Sequence, residues 1–161
     1  MRSPDPDSVN PLAGEVTPPK TYWVIAWLLL VWGIGYAALV AEAFFLFTPD
    51  DFDRLVTAGT ILPGYSDYVQ QLPPWIVAIS LFKAATRIGG ALGLLLRKSW
   101  SITLYALSFA ASCVIFFRGF LLEGIASVER PSQVGLEALF FALSIFALCY
   151  ALRAAFRSMF R

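Results

Sequence analysis

One segment decides the fold: residues 75–96 read WIVAISLFKAATRIGGALGLLL. About 20 apolar residues in a helix, at about 1.5 Å each, cross a hydrocarbon core of roughly 30 Å, so this segment is long enough to span a membrane. Pro73 and Pro74 come directly before it, where a first helical turn tolerates proline. The segment also contains the cations Lys83 and Arg87, so it predicts a transmembrane helix with a polar feature inside it.

Three further apolar segments have the same character. They cover residues 22–47, 100–122 and 134–156, and all ten prolines of the chain lie outside the four segments. Each segment is long enough to span a bilayer, and the first leaves room for tilt. The expected fold class is therefore all-α, a polytopic membrane protein built as a four-transmembrane-helix bundle.

The composition points to the same class of protein. The 161 residues are 58% hydrophobic and 14% charged, with a mean hydropathy of +0.70, whereas soluble domains average about 45–50% apolar and about 25% charged residues. The chain has no histidine, which excludes Ser-His-Asp and Cys-His catalysis and histidine-ligated metals. We therefore expect no catalytic residues, no metal site and no cofactor, and predict that the protein is not an enzyme.

Lysine and arginine predict the orientation of the bundle. Seven of them fall in the N-terminal tail, the second loop and the C-terminus, and at most three fall on the opposite side; the seven are Arg2, Lys20, Arg97, Lys98, Arg153, Arg157 and Arg161. Cytoplasmic segments carry the excess of positive charge. Both termini are expected in the cytoplasm, and the first and third loops are expected on the periplasmic or outer side.

Residues 1–20 are predicted to form a disordered cytoplasmic tail, with the transmembrane domain following over residues 21–157. The tail has five prolines and three acids and few apolar side chains, too little apolar surface to offset the entropy cost of ordering. A cleaved signal peptide over residues 1–35 is the alternative. The length of its apolar run and its partly acidic leader disfavour that alternative.

The first outer loop, residues 48–73, contains the signals of a short interfacial helix. Thr48 precedes Pro49 and two aspartates, which is the pattern of an N-cap followed by proline and acids in the first turn. Gly59 is placed to end this helix, and a second helical turn is predicted to begin at Ser66. The four aspartates of the loop favour a solvated segment, with a cation or partner site as the alternative.

Ionisable residues inside the predicted spans are the candidate functional residues. They form a charge cluster made of Glu42, Lys83, Arg87, Arg118 and Glu137. A charge near the centre of a span costs about 2.5–3.5 kcal/mol on insertion scales, so such residues usually face the bundle interior and mark functional sites. Two interpretations remain open: a polar cavity in the outer half that binds a small polar or anionic ligand, and salt bridges that only fix helix register.

Small residues recur at helical spacing in the first two spans. Gly33 and Ala37 lie one turn apart in the first span, and Ala85, Gly89 and Gly93 follow the same spacing in the second. Such runs let helices approach closely. We interpret them as intramolecular packing positions, with homodimerisation as the alternative.

Cys113 and Cys149 lie at different predicted depths, too far apart for a disulfide.

Three stretches carry a family resemblance. They are KTYWVIA at residues 20–26, LPPW at 72–75 and RIGGALGLLLRKSW at 87–100. Together they resemble small four-helix bacterial inner-membrane proteins that are often labelled sugar transporters, and the second helix resembles that of DoxX-like membrane proteins. The resemblance implies a multi-pass protein of the bacterial inner membrane.

Size, short loops and the lack of catalytic motifs favour a non-enzymatic accessory or interaction subunit. Its partners would be the lipid bilayer and a membrane protein or a second copy of the chain, with no nucleic acid. One alternative is an oligomeric transporter of a small sugar-like or anionic solute, although carriers usually have paired repeats and broken helices. A second alternative, implied by the resemblance, is a redox-linked DoxX-like protein.

Overall fold

A computed structural model describes residues 17–124, 129, 131–157 and 160. Six α-helices run through these residues: α1 Lys20–Ala41, α2 Pro49–Thr57, α3 Pro63–Gln70, α4 Pro74–Leu95, α5 Trp100–Phe117 and α6 Pro131–Phe156. A π-helical turn extends α1 over Glu42–Leu46, and another extends α5 over Arg118–Leu122. The predicted tail mostly lies outside the described residues, since the description begins at residue 17.

Four of the helices are long and apolar enough to cross a membrane, counting each π turn with the helix it extends. They are Lys20–Leu46, Pro74–Leu95, Trp100–Leu122 and Pro131–Phe156. Their bounds agree with the predicted spans to within three residues, so the expected all-α four-helix membrane fold is confirmed. The protein is a multi-pass integral membrane protein.

Two short helices join the first two membrane helices. Asp51 accepts hydrogen bonds from the Thr48 hydroxyl (2.7 Å) and from the Thr48 backbone N–H (3.0 Å), which form a capping box at the predicted start of α2. These bonds hold the pKa of Asp51 below its ordinary value. Helix α3 begins at Pro63, not at Ser66 as expected. Pro63 takes the first helical position, where its missing N–H costs nothing.

The chain order gives the bundle two distinct ends. The α2–α3 end holds the loop helices and the two π turns, and the terminal end holds the start of α1, the α4–α5 turn and the end of α6. Helix α4 packs against both α1 and α5, and α5 packs against α6. Among the four spans, α4 has the greatest share of buried positions.

Small residues allow the close approach of α4 to its neighbours. A Cβ added at Gly93 would lie 2.8 Å from Ser101 Cβ and 3.0 Å from Ser101 Cα, and one at Gly89 would lie 2.7 Å from the Leu104 side chain. A Cβ at Gly33 would meet Ile88 at 3.4 Å. These glycines therefore pack within the chain. Ala85, by contrast, is exposed, and Ala37 is half-buried.

The terminal end is fixed by a buried aromatic and by a tight turn. Tyr22 is fully buried and donates a hydrogen bond of 2.6 Å from its hydroxyl to the Leu94 carbonyl, which ties α1 to α4. Beyond α4, Arg97 adopts φ 57° and the Lys98 N–H bonds to the Gly93 carbonyl at 2.8 Å. This left-handed residue closes the helix end in the way a C-terminal glycine usually does.

The glycine contacts predict a stability difference between two substitutions. Gly93→Ala places a methyl group against the Ser101 backbone, which cannot move away easily, and overpacking of this kind costs about 1–3 kcal/mol. Gly35→Ala is the matched control, because nothing lies within 4 Å of its added Cβ. Thermal unfolding in detergent should show a lower midpoint for Gly93→Ala and an unchanged or slightly raised one for Gly35→Ala. Equal midpoints would contradict the packing shown.

Candidate functional site

A cavity of about 340 Å³ lies at the α2–α3 end of the bundle. Residues of all four membrane helices and of α3 contribute to its wall. Its lining is mainly aromatic and aliphatic, with a few polar groups that include Tyr36, Ser80, Lys83, Ser112 and Glu137. A mostly apolar cavity with a few placed polar groups is typical of sites for small molecules.

Four of the five residues predicted from the sequence line this one cavity. They are Glu42, Lys83, Arg118 and Glu137, which come from four different membrane helices or their π extensions. Lys83 lies about 13 Å along the helix axis from the start of α4, and Glu137 about 9 Å from the start of α6. The tertiary fold thus brings these side chains to a common space in one half of the bundle.

Lys83 is a buried cation on the cavity wall. Its relative exposure is 7%, and its Nζ lies 4.7 Å from the centroid of the Tyr36 ring, a cation–π contact. Within the described part of the chain, the ion pairs are Arg118 with Glu123 and Arg54 with Asp51, so Lys83 is in neither. Glu137 is close enough for its charge to act on Lys83, but the two do not form an ion pair.

Arg87 lies one helical turn below Lys83 and is only 1% exposed. Its Nη2 donates to the Ser144 hydroxyl at 2.5 Å, with longer contacts to Ser112 Oγ (3.4 Å) and the Phe140 carbonyl (3.5 Å). Arg87 is not part of the cavity wall, but Lys83, Ser112 and Phe140 are. The guanidinium therefore lies behind the wall at the deep side of the cavity.

Two aromatic rings contact the Arg87 guanidinium. Its centre lies 4.1 Å from the Trp32 ring centroid and 4.2 Å from the Tyr36 ring centroid. Among the described residues, Nε and Nη1 have no hydrogen-bond acceptor. Cation–π contacts of this kind are worth about 2 kcal/mol or more when desolvated. Arg87 is thus held by rings and hydroxyls, and no described carboxylate pairs with it.

Arg118 has a structural partner of its own. Its guanidinium pairs with the Glu123 carboxylate and lies 5.1 Å from the centroid of the Trp75 ring. Glu123 also accepts a hydrogen bond of 2.8 Å from the Tyr68 hydroxyl. Burial, followed by this hydrogen bond, raises the pKa of Tyr68. This network joins the end of α5 to α3, so the charge of Arg118 is already balanced beside the cavity.

Each π turn starts at a charged residue that the sequence predicted for the site, Glu42 in one and Arg118 in the other. The Phe47 N–H bonds to the Glu42 carbonyl at 3.0 Å, and the Glu123 N–H bonds to the Arg118 carbonyl at 3.1 Å. Each bond spans five residues, so each turn contains one residue more than an α-helical turn. Short π segments occur often at functional sites, and here both contribute side chains to the cavity wall.

Sequence reasoning missed Glu129, which belongs to the third loop. Glu129 lines the cavity, is 5% exposed, and its Oε2 has no hydrogen-bond partner within the described residues. Burial, followed by the nearby Glu137 carboxylate, raises the pKa of Glu129 to about 7 from 4.5. No local pattern marks this residue, because its burial depends on the tertiary structure and not on the sequence around it.

The aromatic and hydroxyl partners of the two buried cations were also missed. Tyr36, Trp32, Ser112 and Ser144 fall in spans where apolar and small residues are ordinary, so their types alone give no signal. A search for polar residues four positions apart would have shown Ser108 and Ser112 on one face of α5, but Ser144 belongs to α6, and no sequence spacing relates it to them. Ser112 and Ser144 are 3.2 Å apart at their hydroxyls.

Comparisons with known proteins identify no relative. No family model matches the chain, and neither the curated proteins nor the solved structures include a significant match. The site must therefore be understood from its own geometry. Within the described residues, no group of three or more histidine, cysteine or acidic side chains is arranged to hold a metal ion.

Removing the Ser144 hydroxyl should destabilise the bundle. Ser144→Ala deletes the shortest hydrogen bond of a buried guanidinium, and a cost of about 1–2 kcal/mol is expected. Ser101→Ala is the matched control, because the Ser101 hydroxyl is buried without a described partner. Thermal unfolding in detergent should therefore give a lower midpoint for Ser144→Ala only. A result in which Ser101→Ala is the more damaging change would contradict this account of Arg87.

The raised pKa of Glu129 predicts a pH dependence of stability. The folded-state pKa of about 7 exceeds the ordinary value of 4.5, so the stabilisation is complete below about pH 4.5 and is lost as pH rises through about 7. Unfolding midpoints measured from pH 4.5 to 8 should fall, and Glu129→Gln should flatten that decline. The exposed Asp53→Asn serves as the control and should leave the decline unchanged. An identical pH profile for Glu129→Gln and the parent would refute the assignment.

Proposed function

We propose that this is a non-enzymatic membrane protein whose cavity binds a small solute with an anionic group and an apolar or aromatic body. The observation that carries the proposal is the pair Lys83 and Arg87, which are 7% and 1% exposed and lack an ion-pair partner among the described residues. Charged groups buried in a membrane protein are costly and mark ligand or ion sites by default.

Electrostatics favour an anion at the deep side of the cavity. A cation in a low-dielectric space is stabilised when an opposite charge enters beside it. Lys83 and Arg87 lie farther along their helix from the α2–α3 end than Glu137 does. Glu129 precedes α6 in the chain, in the third loop. Glu129 and Glu137, which line the same cavity, disfavour solutes with several negative charges. A single carboxylate-like charge directed at Lys83 fits this arrangement best.

The walls and the size of the cavity favour a small apolar or aromatic body. Phe116, Phe140 and Phe141 line the cavity together with Tyr65 and Tyr68. Its volume of about 340 Å³ is at the lower end of the range for ligand pockets, about 300–1,000 Å³. Aromatic rings supply contact area and prefer offset or edge-to-face partners. The solute is therefore expected to be no larger than one substituted ring.

Hydroxyl groups near the cavity support binding over catalysis. Ser112 donates its hydroxyl hydrogen to the Ser108 carbonyl at 2.8 Å, and Ser144 donates to the Phe140 carbonyl at 2.8 Å. These hydroxyls are held by backbone acceptors, whereas a serine nucleophile needs an adjacent general base. The described polar groups thus suit recognition of a charge.

The cellular setting is part of the same proposal. The basic terminal end supports cytoplasmic termini, and the resemblance of the sequence to small four-helix proteins supports the bacterial inner membrane. The cavity would then face the periplasmic half of the membrane.

A role as an accessory subunit for a membrane partner is compatible with ligand binding. The glycines that favour helix association are already used within the chain, so they support intramolecular packing better than a homodimer.

Binding of an aromatic carboxylate tests the proposal. Purified protein in lipid nanodiscs at pH 6 should be stabilised against heat by benzoate more than by benzamide, its neutral analogue of similar shape. Lys83→Met should lose at least about tenfold in benzoate affinity because the ligand's counter-charge is gone. The same variant should unfold at a higher temperature than the parent, since a buried unpaired ammonium is removed.

Lys98→Met is the matched control for this experiment. Lys98 is an exposed lysine in the α4–α5 turn, at the end of the bundle away from the cavity. Its substitution should leave the preference for benzoate intact. Equal effects of benzoate and benzamide on the parent protein, or a preference that survives Lys83→Met, would overturn the proposed function.

A further inference from the structure

We propose a second binding site, for the phosphate of an anionic phospholipid, in a groove at the terminal end of the bundle. The groove has a volume of about 290 Å³ and lies between the start of α1 and the end of α6. Its wall includes Thr21, Ile25, Phe146, Tyr150, Arg153 and Arg157. It shares no lining residue with the cavity at the other end, so this site is independent of the proposed function.

The two arginines give the groove its charge. Arg153 and Arg157 are four residues apart at the end of α6, so they share one helix face. Both are exposed, and within the described residues neither forms an ion pair. Two like charges at this spacing repel each other unless an anion lies between them. A phosphate accepts hydrogen bonds from arginine in bidentate geometry, which makes it a suitable anion.

The polarity of the groove changes along the membrane normal as that of a phospholipid does. Phe146 lies 11 residues before Arg157, which is about 16 Å along the helix axis toward the membrane centre. Ile25 of α1 lies one turn inside the span, and the Phe146 and Tyr150 rings stack with centroids 6.0 Å apart. The deep part of the groove is thus apolar and can contact an acyl chain, while the arginines lie at headgroup level.

Hydroxyl groups lie between the apolar part and the cationic part. Thr21 and Tyr150 both line the groove and can donate hydrogen bonds to phosphate or ester oxygens. Tyrosine is enriched at the membrane–water interface because its ring is apolar and its tip is polar. A soluble phosphate would use only the cationic part of this site. The combination of both parts favours a lipid over a free anion.

The position of the groove agrees with the lipid chemistry expected there. The terminal end carries most of the basic residues of the chain and is the end predicted to face the cytoplasm, where basic pockets between transmembrane helices bind anionic headgroups. A positive groove that is open to the headgroup layer would retain such a lipid through purification. Bound lipid would then join α1 to α6 at the end where Tyr22 and Tyr150 already meet, with ring centroids 6.2 Å apart.

Lipid retention by purified protein tests this inference. Native mass spectrometry after exposure to equal amounts of phosphatidylglycerol and phosphatidylcholine should show preferential retention of phosphatidylglycerol. The double substitution Arg153→Gln with Arg157→Gln should reduce that preference about fivefold or more, since each cation near a membrane surface contributes appreciably to the binding of acidic lipid. Replacing both arginines with lysine should restore part of the preference, because the charge remains while the bidentate geometry is lost.

A charge-matched variant separates the groove from general attraction. Lys20→Gln with Lys98→Gln also removes two exposed cations from the terminal end, but neither lysine lines the groove. This variant should keep the preference for phosphatidylglycerol. Equal retention of the two lipids by the parent protein would overturn the inference, as would an equal loss in both double variants. Displacement of phosphatidylglycerol by millimolar glycerol 3-phosphate would show a soluble-phosphate site in place of the lipid site.

Discussion

A guanidinium group cannot remain in the interior of a membrane helix bundle without partners, and the partners of Arg87 organise this protein. Its contacts reach Trp32 and Tyr36 on α1, Ser112 on α5 and Ser144 on α6. One side chain of α4 therefore touches all three other membrane helices. Those helices pack around α4 so that this charged group contacts rings and hydroxyls in place of hydrocarbon.

Close packing between helices makes those contacts possible. Lipid tails are as apolar as leucine, so helices in a membrane associate mainly through van der Waals contact and hydrogen bonds. Gly33 faces α4 at the level of Arg87 and Ile88, and Gly89, Gly90 and Gly93 face α5. These positions bring the serines and aromatic rings within reach of the Arg87 guanidinium. The glycines thus allow the close packing that buries the Arg87 guanidinium among its partners.

The two ends of the bundle separate two kinds of charge. At the α2–α3 end, cations and acids line a cavity rich in aromatic side chains, and some of their charges are unpaired within the described residues. At the terminal end, two exposed arginines line a groove between α1 and α6. Charge is costly at the first end because Lys83 and Glu129 are buried, and it costs little at the second because Arg153 and Arg157 are exposed. The first arrangement suits selective recognition of a small solute, and the second suits contact with headgroups of the bilayer.

The sequence by itself determined the four spans, the capped helix at Thr48 and the intramembrane position of the charged residues. These features depend on local quantities: the length of an apolar run, the hydrogen bonds of a cap and the period of a helix. It did not determine which charges meet. Arg118 pairs with Glu123, Arg87 is held by rings and hydroxyls, and Glu129 joins the cavity from a loop. Only the tertiary structure decided these contacts, because they depend on the rotation and depth of each helix relative to its neighbours, which no local pattern specifies.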